Sequence, residues 1–212
     1  KGGLVDAAVR VSPLRRAQQT WSLLRSSVGV GRGRAQAWGE LREIDFFEWE
    51  GQKFSDIAAK YPDQWRLWRE APHRMELASG VRPVALLLAR AVGVWARLCF
   101  ETPPGGTMLV VAHGALNRAI LMKAFGLPDH AYGDPRLWFP NCGVAELEVA
   151  EICEGVPSAS RWRWLFGSVG GDRAVATATG DLDLRVGSWR AALDERSYYN
   201  GGGNADVATS TL

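Results

Sequence analysis

The sequence predicts an α/β fold, in which buried strands and amphipathic helices alternate along one chain. Residues 107–112 form a short run of apolar and β-branched residues after a Pro-Pro-Gly-Gly turn, which is typical of a strand buried on both faces. Apolar residues then follow helical spacing from Ala115 onward, and Gly126 ends that pattern. A second strand-to-helix pattern starts at residues 4–11. We expect residues 107–112 to be a central strand of this fold.

The first strand-to-helix unit begins with the predicted strand at residues 4–11. Ser12 is a good helix N-cap and Pro13 suits the first helical position, so we expect a helix to start there. Arg15 and Arg16 fall in its first turn, where cations oppose the helix dipole. Either a bound anion or simple surface exposure would explain them. The predicted inward face holds four apolar residues: Leu14, Ala17, Trp21 and Leu24.

Residues 40–50 are acidic and aromatic, in a pattern that matches neither a helix nor a strand. Carboxylates placed among aromatic side chains often have raised pKa values and then serve as general acids. An acidic surface loop is the other interpretation of this stretch.

Three helices and a loop are predicted in the middle of the chain. Residues 54–60 and 62–70 have the pattern of short helices, and His73 lies in the loop that follows. Residues 82–100 form a long amphipathic helix. Its predicted inward residues are Val84, Leu87, Leu88, Ala91, Val92, Trp95 and Leu98.

The C-terminal part of the chain predicts further strands at residues 136–140, 143–149 and 161–166. After residue 166 the hydrophobic periodicity disappears, and Gly, Asp, Ala, Ser and Thr dominate. We therefore expect one folded domain over residues 1–166. Residues 167–212 are expected to be a disordered or loosely attached tail, apart from a helical turn near Trp189.

Composition excludes several classes of function. The net charge of +2, with basic residues scattered among acids, argues against a nucleic-acid partner. Cys99, Cys142 and Cys153 are odd in number and lack paired metal-ligand spacing, so we expect a reducing compartment and no metal site. No uninterrupted apolar run reaches the roughly 18 residues of a spanning helix, so no membrane association is expected.

The clearest candidate site is His113-Gly114, between the predicted central strand and the next helix. Ligands of open α/β sheets bind at the carboxyl ends of the strands. The free N–H groups and the dipole of a helix N-terminus favour an anion there. A buried structural histidine is the alternative on this stretch alone.

Three stretches together resemble the histidine phosphatase superfamily, also called phosphoglycerate mutase-like. SPLRRAQQT at residues 12–20 resembles the SPLxRAxQT signature of that family, and LREIDFFEWEG at residues 41–51 resembles its LxExxFGxWEG segment. VVAHGALNRAIL at residues 110–121 resembles its second-histidine motif. The resemblance covers residues 4–166. It implies a three-layer α/β/α sandwich around a mostly parallel sheet, here without the family's first strand.

Two further stretches resemble plant and algal members of the family. They are KYPDQWRLWREAP at residues 60–72 and the Asn-Cys-Gly turn at residues 141–143. These members are described as phosphoglycerate mutase-like or 2-carboxyarabinitol-1-phosphatase-like. This resemblance leaves cytoplasm and chloroplast open as the reducing compartment.

The resemblance implies phosphoryl transfer to a histidine and then to water, without metal or cofactor, from a small phosphorylated metabolite. Arg16 would be a phosphate clamp. His113 would contact a phosphate oxygen and stabilise the transition state, with the Gly114 N–H behind it. Glu43 would be the proton donor. Phosphoryl transfer relies mainly on positioning and charge neutralisation, which these residue types supply.

Two departures from the family pattern affect these expectations. Phe47 stands where the family usually has glycine, which leaves open a different loop structure and makes Asp45 and Glu50 alternative acids. The nucleophilic Arg-His-Gly motif of the family does not occur in the sequence. We therefore expect a truncated sequence whose hydrolase activity needs an upstream Arg-His-Gly segment. A mutase and a non-catalytic phospho-ligand or protein-binding module are the alternatives, and the oligomeric state stays open.

Overall fold

The computed structural model describes residues 6–28, 35–149, 159–166, 175–177 and 182–183. The helices are α1 (Arg15–Val28), α2 (Phe54–Lys60), α3 (Pro62–Glu70), α4 (Pro83–Glu101) and α5 (Gly114–Ala124). The strands are β1 (Ala8–Val11), β2 (Gln36–Ala37), β3 (Met108–Val111), β4 (Val144–Val149), β5 (Ala159–Phe166), β6 (Val175–Thr177) and β7 (Leu182–Asp183). The alternation of strands and helices confirms the predicted α/β class.

A parallel sheet in the order β2-β1-β3 forms the centre of the fold. Ala8 of β1 pairs with Met108 of β3, and the register continues without a break to Val11 opposite Val111. In the described part of the chain β1 lies between two neighbours, whereas β3 pairs only with β1. In the described residues β3 is thus an edge strand and not a central one, in a sheet that was expected to lack the family's first strand.

Helices cover both faces of the parallel sheet, because side chains on a strand alternate between its faces. Met108 and Val110 pack against a large cluster that includes residues of α4 and α5. Leu109 and Val111 belong to a second cluster with Trp21 of α1. The molecule thus has three layers, α1, the sheet, and the α4–α5 pair. Three of the four β3 side chains are only half-buried, less than predicted for a strand covered on both faces.

Helix α1 begins at Arg15, so the prediction that Ser12 caps it and Pro13 opens it is wrong by two residues. The Ser12 N–H still donates to the Val111 carbonyl at 2.9 Å, which extends the strand pairing past Val11. The Ser12 hydroxyl accepts the Leu14 N–H at 3.3 Å across the turn. The helix begins only after this strand pairing ends.

Helix α4 is the longest helix of the described chain and is built into the core. Six of its seven predicted inward residues are buried, but Val92 is 54% exposed and Val94 takes its place in the core. By length and hydropathy α4 also passes the test for a membrane-spanning helix, a test that core helices of soluble proteins pass as well. Eight of its side chains are buried in the structure.

The C-terminal strands differ in part from the prediction. The predicted strand at residues 136–140 is wrong, because Pro135–Leu137 is a 3-10 turn whose cap, Asp134, accepts the Arg136 N–H at 2.9 Å. β4 and β5 pair antiparallel, followed by β6 and β7 in a four-stranded sheet. β6 and β7 lie within the predicted tail. The helical turn expected near Trp189 lies outside the described residues.

An aromatic cluster supports the acidic loop. Helices α2 and α3 have the predicted bounds. Trp49 is buried beside Ile57, Met75 and Leu77. Phe46 stacks on Trp49 with ring centroids 6.2 Å apart, so the loop is anchored to the α2–α3 region.

Candidate active site

The carboxyl ends of β1 and β3 bring two polar residues together at one edge of the sheet. His113, 7% exposed, follows β3 and precedes the first residue of α5. Its Nε2 lies 2.7 Å from the hydroxyl of Ser12, which follows β1. Because the two strands are parallel and in register, their ends place these residues side by side. The predicted location of the site at this edge agrees with this arrangement.

Arg16 of α1 contacts the same imidazole. Its Nε donates to His113 Nδ1 at 3.2 Å. This is the one hydrogen bond or ion pair of the Arg16 guanidinium within the described chain, and the side chain is otherwise exposed. The remaining N–H groups of the guanidinium are available to an anion, in the fork geometry that suits a phosphate.

His113 is neutral in this arrangement. Nδ1 accepts from Arg16, so the hydrogen-bond network assigns the ring proton to Nε2, which then donates to Ser12. Burial is the main cause, and the positive charge of Arg16 the next, of a pKa of His113 that is lowered to about 4. Arg90 and Arg42 lower this pKa in the same way. At neutral pH the site therefore has a neutral imidazole beside arginine side chains.

Glu43 reaches the site from the acidic loop. Its carboxylate accepts the N–H groups of Leu116 at 3.2 Å and Ala115 at 3.4 Å, and that of Ile44 at 3.0 Å. Burial raises the pKa of Glu43, while these backbone hydrogen bonds and the charge of Arg16 oppose the rise. The helix N-terminus that was expected to face a bound anion thus already holds a carboxylate of the protein.

Gly114 lies where the chain passes close to the segment after α5. A Cβ on Gly114 would be 3.3 Å from the Phe139 carbonyl oxygen. This close approach favours glycine on steric grounds. Its predicted role, a phosphate contact through the N–H, stays a prediction.

The two alternative acids lie differently from Glu43. Glu50 is exposed, and its carboxylate accepts the Phe46 N–H at 3.1 Å within its own loop. Asp45 is half-buried and has no hydrogen bond to His113 or Arg16 in the described structure. Of the three carboxylates, Glu43 is the one that contacts the first turn of α5. The geometry therefore favours Glu43 as the acid.

Phe47 adopts the backbone conformation that glycine would adopt most easily. Its φ is 49°, in the left-handed region, and its side chain is 46% exposed. A left-handed conformation costs a residue with a Cβ roughly 1–2 kcal/mol. The loop thus has a left-handed residue at the position where the family usually has glycine.

Two residues at the site were not predicted from the sequence as functional residues. Ser12 is predicted there only as a helix N-cap. Arg90 of α4 donates from Nη2 to the Glu43 carbonyl oxygen at 2.9 Å. The signal for Arg90 is a charged residue beside the buried face of a largely apolar helix. His73 and His130 lie together, with ring centroids 6.3 Å apart, and neither contacts His113 in the described chain.

The described residues contain no group of three His, Cys, Asp or Glu side chains that could hold a metal ion. The polar groups that converge at the sheet edge are cationic or neutral donors with a single carboxylate, a set suited to an oxyanion.

The fold and the candidate site define an α/β protein with an arginine, an imidazole and a carboxyl group at the carboxyl edge of a parallel sheet. Residues 3–163 match the model of the histidine phosphatase superfamily, branch 1. The chain belongs to this superfamily, as its three motifs suggested.

Two curated plant proteins are similar to the chain. One is the probable 2-carboxy-D-arabinitol-1-phosphatase of Arabidopsis thaliana, 30% identical over 68% of this chain and 28% of the relative. The other is the 2-carboxy-D-arabinitol-1-phosphatase of Triticum aestivum, 33% identical over 56% of this chain and 23% of the relative. The chain thus spans about a quarter of the length of these relatives.

Solved structures share the fold. A mycobacterial glucosyl-3-phosphoglycerate phosphatase in complex with VO3 has a TM-score of 0.61. It is 24% identical and covers 76% of each chain. At this identity the similarity supports the fold alone, and it agrees with the predicted phosphoglycerate mutase-like sandwich.

Proposed function

We propose that the protein hydrolyses a phosphomonoester through a phosphohistidine intermediate, without a metal ion. The observation that carries this proposal is the contact between Arg16 Nε and His113 Nδ1, with Glu43 on the adjacent first turn of α5. These three residues come from three separate motifs, and the fold brings them to one place. Arginine, imidazole and a carboxyl group are the donor set that phosphoryl transfer without a metal requires.

The nucleophile of this reaction is the histidine of an Arg-His-Gly segment that the sequence does not contain. β3 ends the three-stranded sheet in the described chain. A further parallel strand on the outer edge of β3 would have its carboxyl end level with His113. We propose that the Arg-His-Gly segment occupies this position in the full-length protein.

In the first chemical step the nucleophilic imidazole attacks phosphorus, and the bond from phosphorus to the ester oxygen breaks. The leaving oxygen takes the electron pair and the proton of Glu43. In the second step water attacks phosphorus and the Glu43 carboxylate accepts the water proton. The bond from phosphorus to the imidazole nitrogen breaks, its electron pair returns to that nitrogen, and inorganic phosphate leaves. Arg16 and His113 donate to the equatorial oxygens in both steps.

The names of the curated relatives support a proposal for the substrate class. Their names specify 2-carboxy-D-arabinitol 1-phosphate, a small phosphorylated sugar acid. We propose a small phosphorylated metabolite of this kind for the present protein. Its positively charged site, with Arg16, Arg42 and Arg90 around His113, favours an anionic substrate.

The proposal is tested with the full-length protein that carries Arg-His-Gly, assayed on an aryl phosphate in excess EDTA. We expect turnover in EDTA and none after replacement of the motif histidine by glutamine. Loss of turnover in EDTA that magnesium restores would contradict the mechanism.

A non-catalytic phosphate-binding module is the second candidate, because the sequence lacks Arg-His-Gly. In that case the full-length protein would bind phosphate through Arg16 and His113 and show no turnover on any phosphomonoester.

A further inference from the structure

Arg90 is a charged residue on the side of α4 that faces the core and the acidic loop. It is half-buried, and its neighbours Ala91 and Leu88 are buried apolar residues. Burial of a guanidinium is costly unless the group is paired or hydrogen-bonded. In the described chain Arg90 has no ion pair with a carboxylate, so a surface salt bridge does not explain its position.

The contact that Arg90 does make is with the backbone of the candidate acid. Its Nη2 donates to the Glu43 carbonyl oxygen at 2.9 Å, across 47 residues of sequence. Its Nε is buried and has no hydrogen-bond partner among the described residues. A buried donor without a partner requires an explanation, and a functional site is one of the usual ones.

Hydrogen bonds thus hold both the backbone carbonyl and the side-chain carboxylate of Glu43. Arg90 holds its carbonyl from α4, and the N–H groups of Ala115 and Leu116 hold its carboxylate from α5. Leu41 and Ile44 on either side are buried in the same core as α4 and α5. Two packed helices therefore determine the position of one carboxyl group beside His113.

The positive charge of Arg90 also acts on the imidazole of His113. It lowers the pKa of His113, together with the charges of Arg16 and Arg42. The guanidinium is therefore close enough to the imidazole to favour its neutral form.

We propose that Arg90 is a positioning residue that holds the backbone of Glu43 so that its carboxyl group stays on the first turn of α5, within reach of the reacting phosphate. The catalytic consequence rests on the proposed function of Glu43. The geometric claim does not, because it concerns where one carboxylate lies.

The direct test is an NMR titration of the protein, which needs no turnover. The amide resonances of Ala115 and Leu116 report the ionisation of Glu43, since its carboxylate accepts both N–H groups. Glu43→Gln must abolish this titration, which assigns it. In Arg90→Met we expect the pH-dependent shift of both amides to fall to less than half of its wild-type size. Arg82→Met is the matched control at the N-cap of the same helix, because Arg82 pairs with the exposed Glu76.

Two further variants separate the hydrogen bond from the charge. Arg90→Lys keeps the charge, so the pKa of His113 should stay near its wild-type value, whereas Arg90→Met should raise it. Arg90→Gln keeps a neutral donor, so it should retain more of the amide shift than Arg90→Met. An unchanged amide titration in well-folded Arg90→Met overturns the proposal. If Arg90→Met does not fold, Arg90→Ala takes its place, and an unchanged amide titration in folded Arg90→Ala overturns the proposal.

A kinetic test applies to the full-length enzyme. Arg90→Met should lower kcat at least tenfold for an alkyl phosphate and less for an activated aryl phosphate, with KM changed by less than about threefold. Equal losses on both substrates contradict a positioning role. If the full-length protein has no turnover, the proposed function fails, but the amide titration still decides the role of Arg90.

Discussion

In the proposed mechanism, the side chains of Arg16 and His113 both donate to one phosphate. In the full-length enzyme, Arg16→Ala and His113→Ala should each reduce kcat by on the order of 10²-fold or more, as expected when a preorganised donor to developing charge is removed. The measurement is steady-state hydrolysis of an aryl phosphate. Arg15→Ala is the matched control, because Arg15 is exposed in the same helical turn and has no contact with His113 in the described chain. Equal losses in all three variants would contradict the assignment.

The loss of kcat in Glu43→Gln should depend on the leaving group of the substrate. Glu43→Gln removes the proton that a poor leaving oxygen needs, so kcat should fall strongly for an alkyl phosphate. An activated aryl phosphate leaves as a stable anion and should be affected less. Glu50→Gln, in the same loop, is the control for a merely structural effect. If Glu50→Gln shows the leaving-group dependence and Glu43→Gln does not, the acid is Glu50.

The ionisation of His113 provides a prediction that needs no catalysis. Its pKa is lowered to about 4, from an ordinary value of 6.5. The folded state therefore binds fewer protons than the unfolded state between these values, and His113 stabilises the fold fully above pH 6.5. This contribution should be lost as pH falls from 6.5 toward 4. Urea titrations across this range should show a smaller pH dependence in His113→Asn, and imidazole NMR should find His113 neutral at pH 6.

Among the secondary-structure elements, α4 contains two valines whose replacement tests which face of the helix is buried. Val94 is 3% exposed and Val92 is 54% exposed, two residues apart on one helix. Val94→Ala should lower the free energy of unfolding by about 2 kcal/mol, through lost apolar burial and a residual cavity. Val92→Ala should leave it nearly unchanged, since alanine also has the higher helix propensity. Chemical denaturation measures both, and equal losses would contradict the orientation of α4.

Some helix and strand assignments could not be predicted correctly from the sequence, and the structure shows why. The bounds of α2 and α3 were predictable, because each has a clear stop and a single apolar face. Val92 was misplaced because Val92, Val94 and Trp95 are all apolar, so periodicity alone cannot separate the buried face from the exposed one. The strand expected at residues 136–140 fails because Pro135 opens a 3-10 turn, and Asp134 caps it.

For the molecule as a whole, the motifs predicted which residues form the candidate site, but not the contacts that hold them there. His113, Arg16 and Glu43 were identified through the resemblance of their motifs to those of the family, and the fold brings them together. The contact of Glu43 with Leu116 joins residues 73 positions apart. The contact of Arg90 with Glu43 joins residues 47 positions apart. Local patterns carry no information on such contacts, because they depend on how α4 and α5 pack against the sheet.

The most direct test of the account is to trap the phosphorylated enzyme. The full-length protein is mixed with a ³²P-labelled phosphomonoester in EDTA, quenched within milliseconds and mapped by peptide analysis. We predict an acid-labile, base-stable phosphate on the histidine of Arg-His-Gly, formed at a rate no slower than turnover. The 212-residue chain should show no label under the same conditions. Label on His113 or His73, or turnover without any phosphoenzyme, would contradict the account.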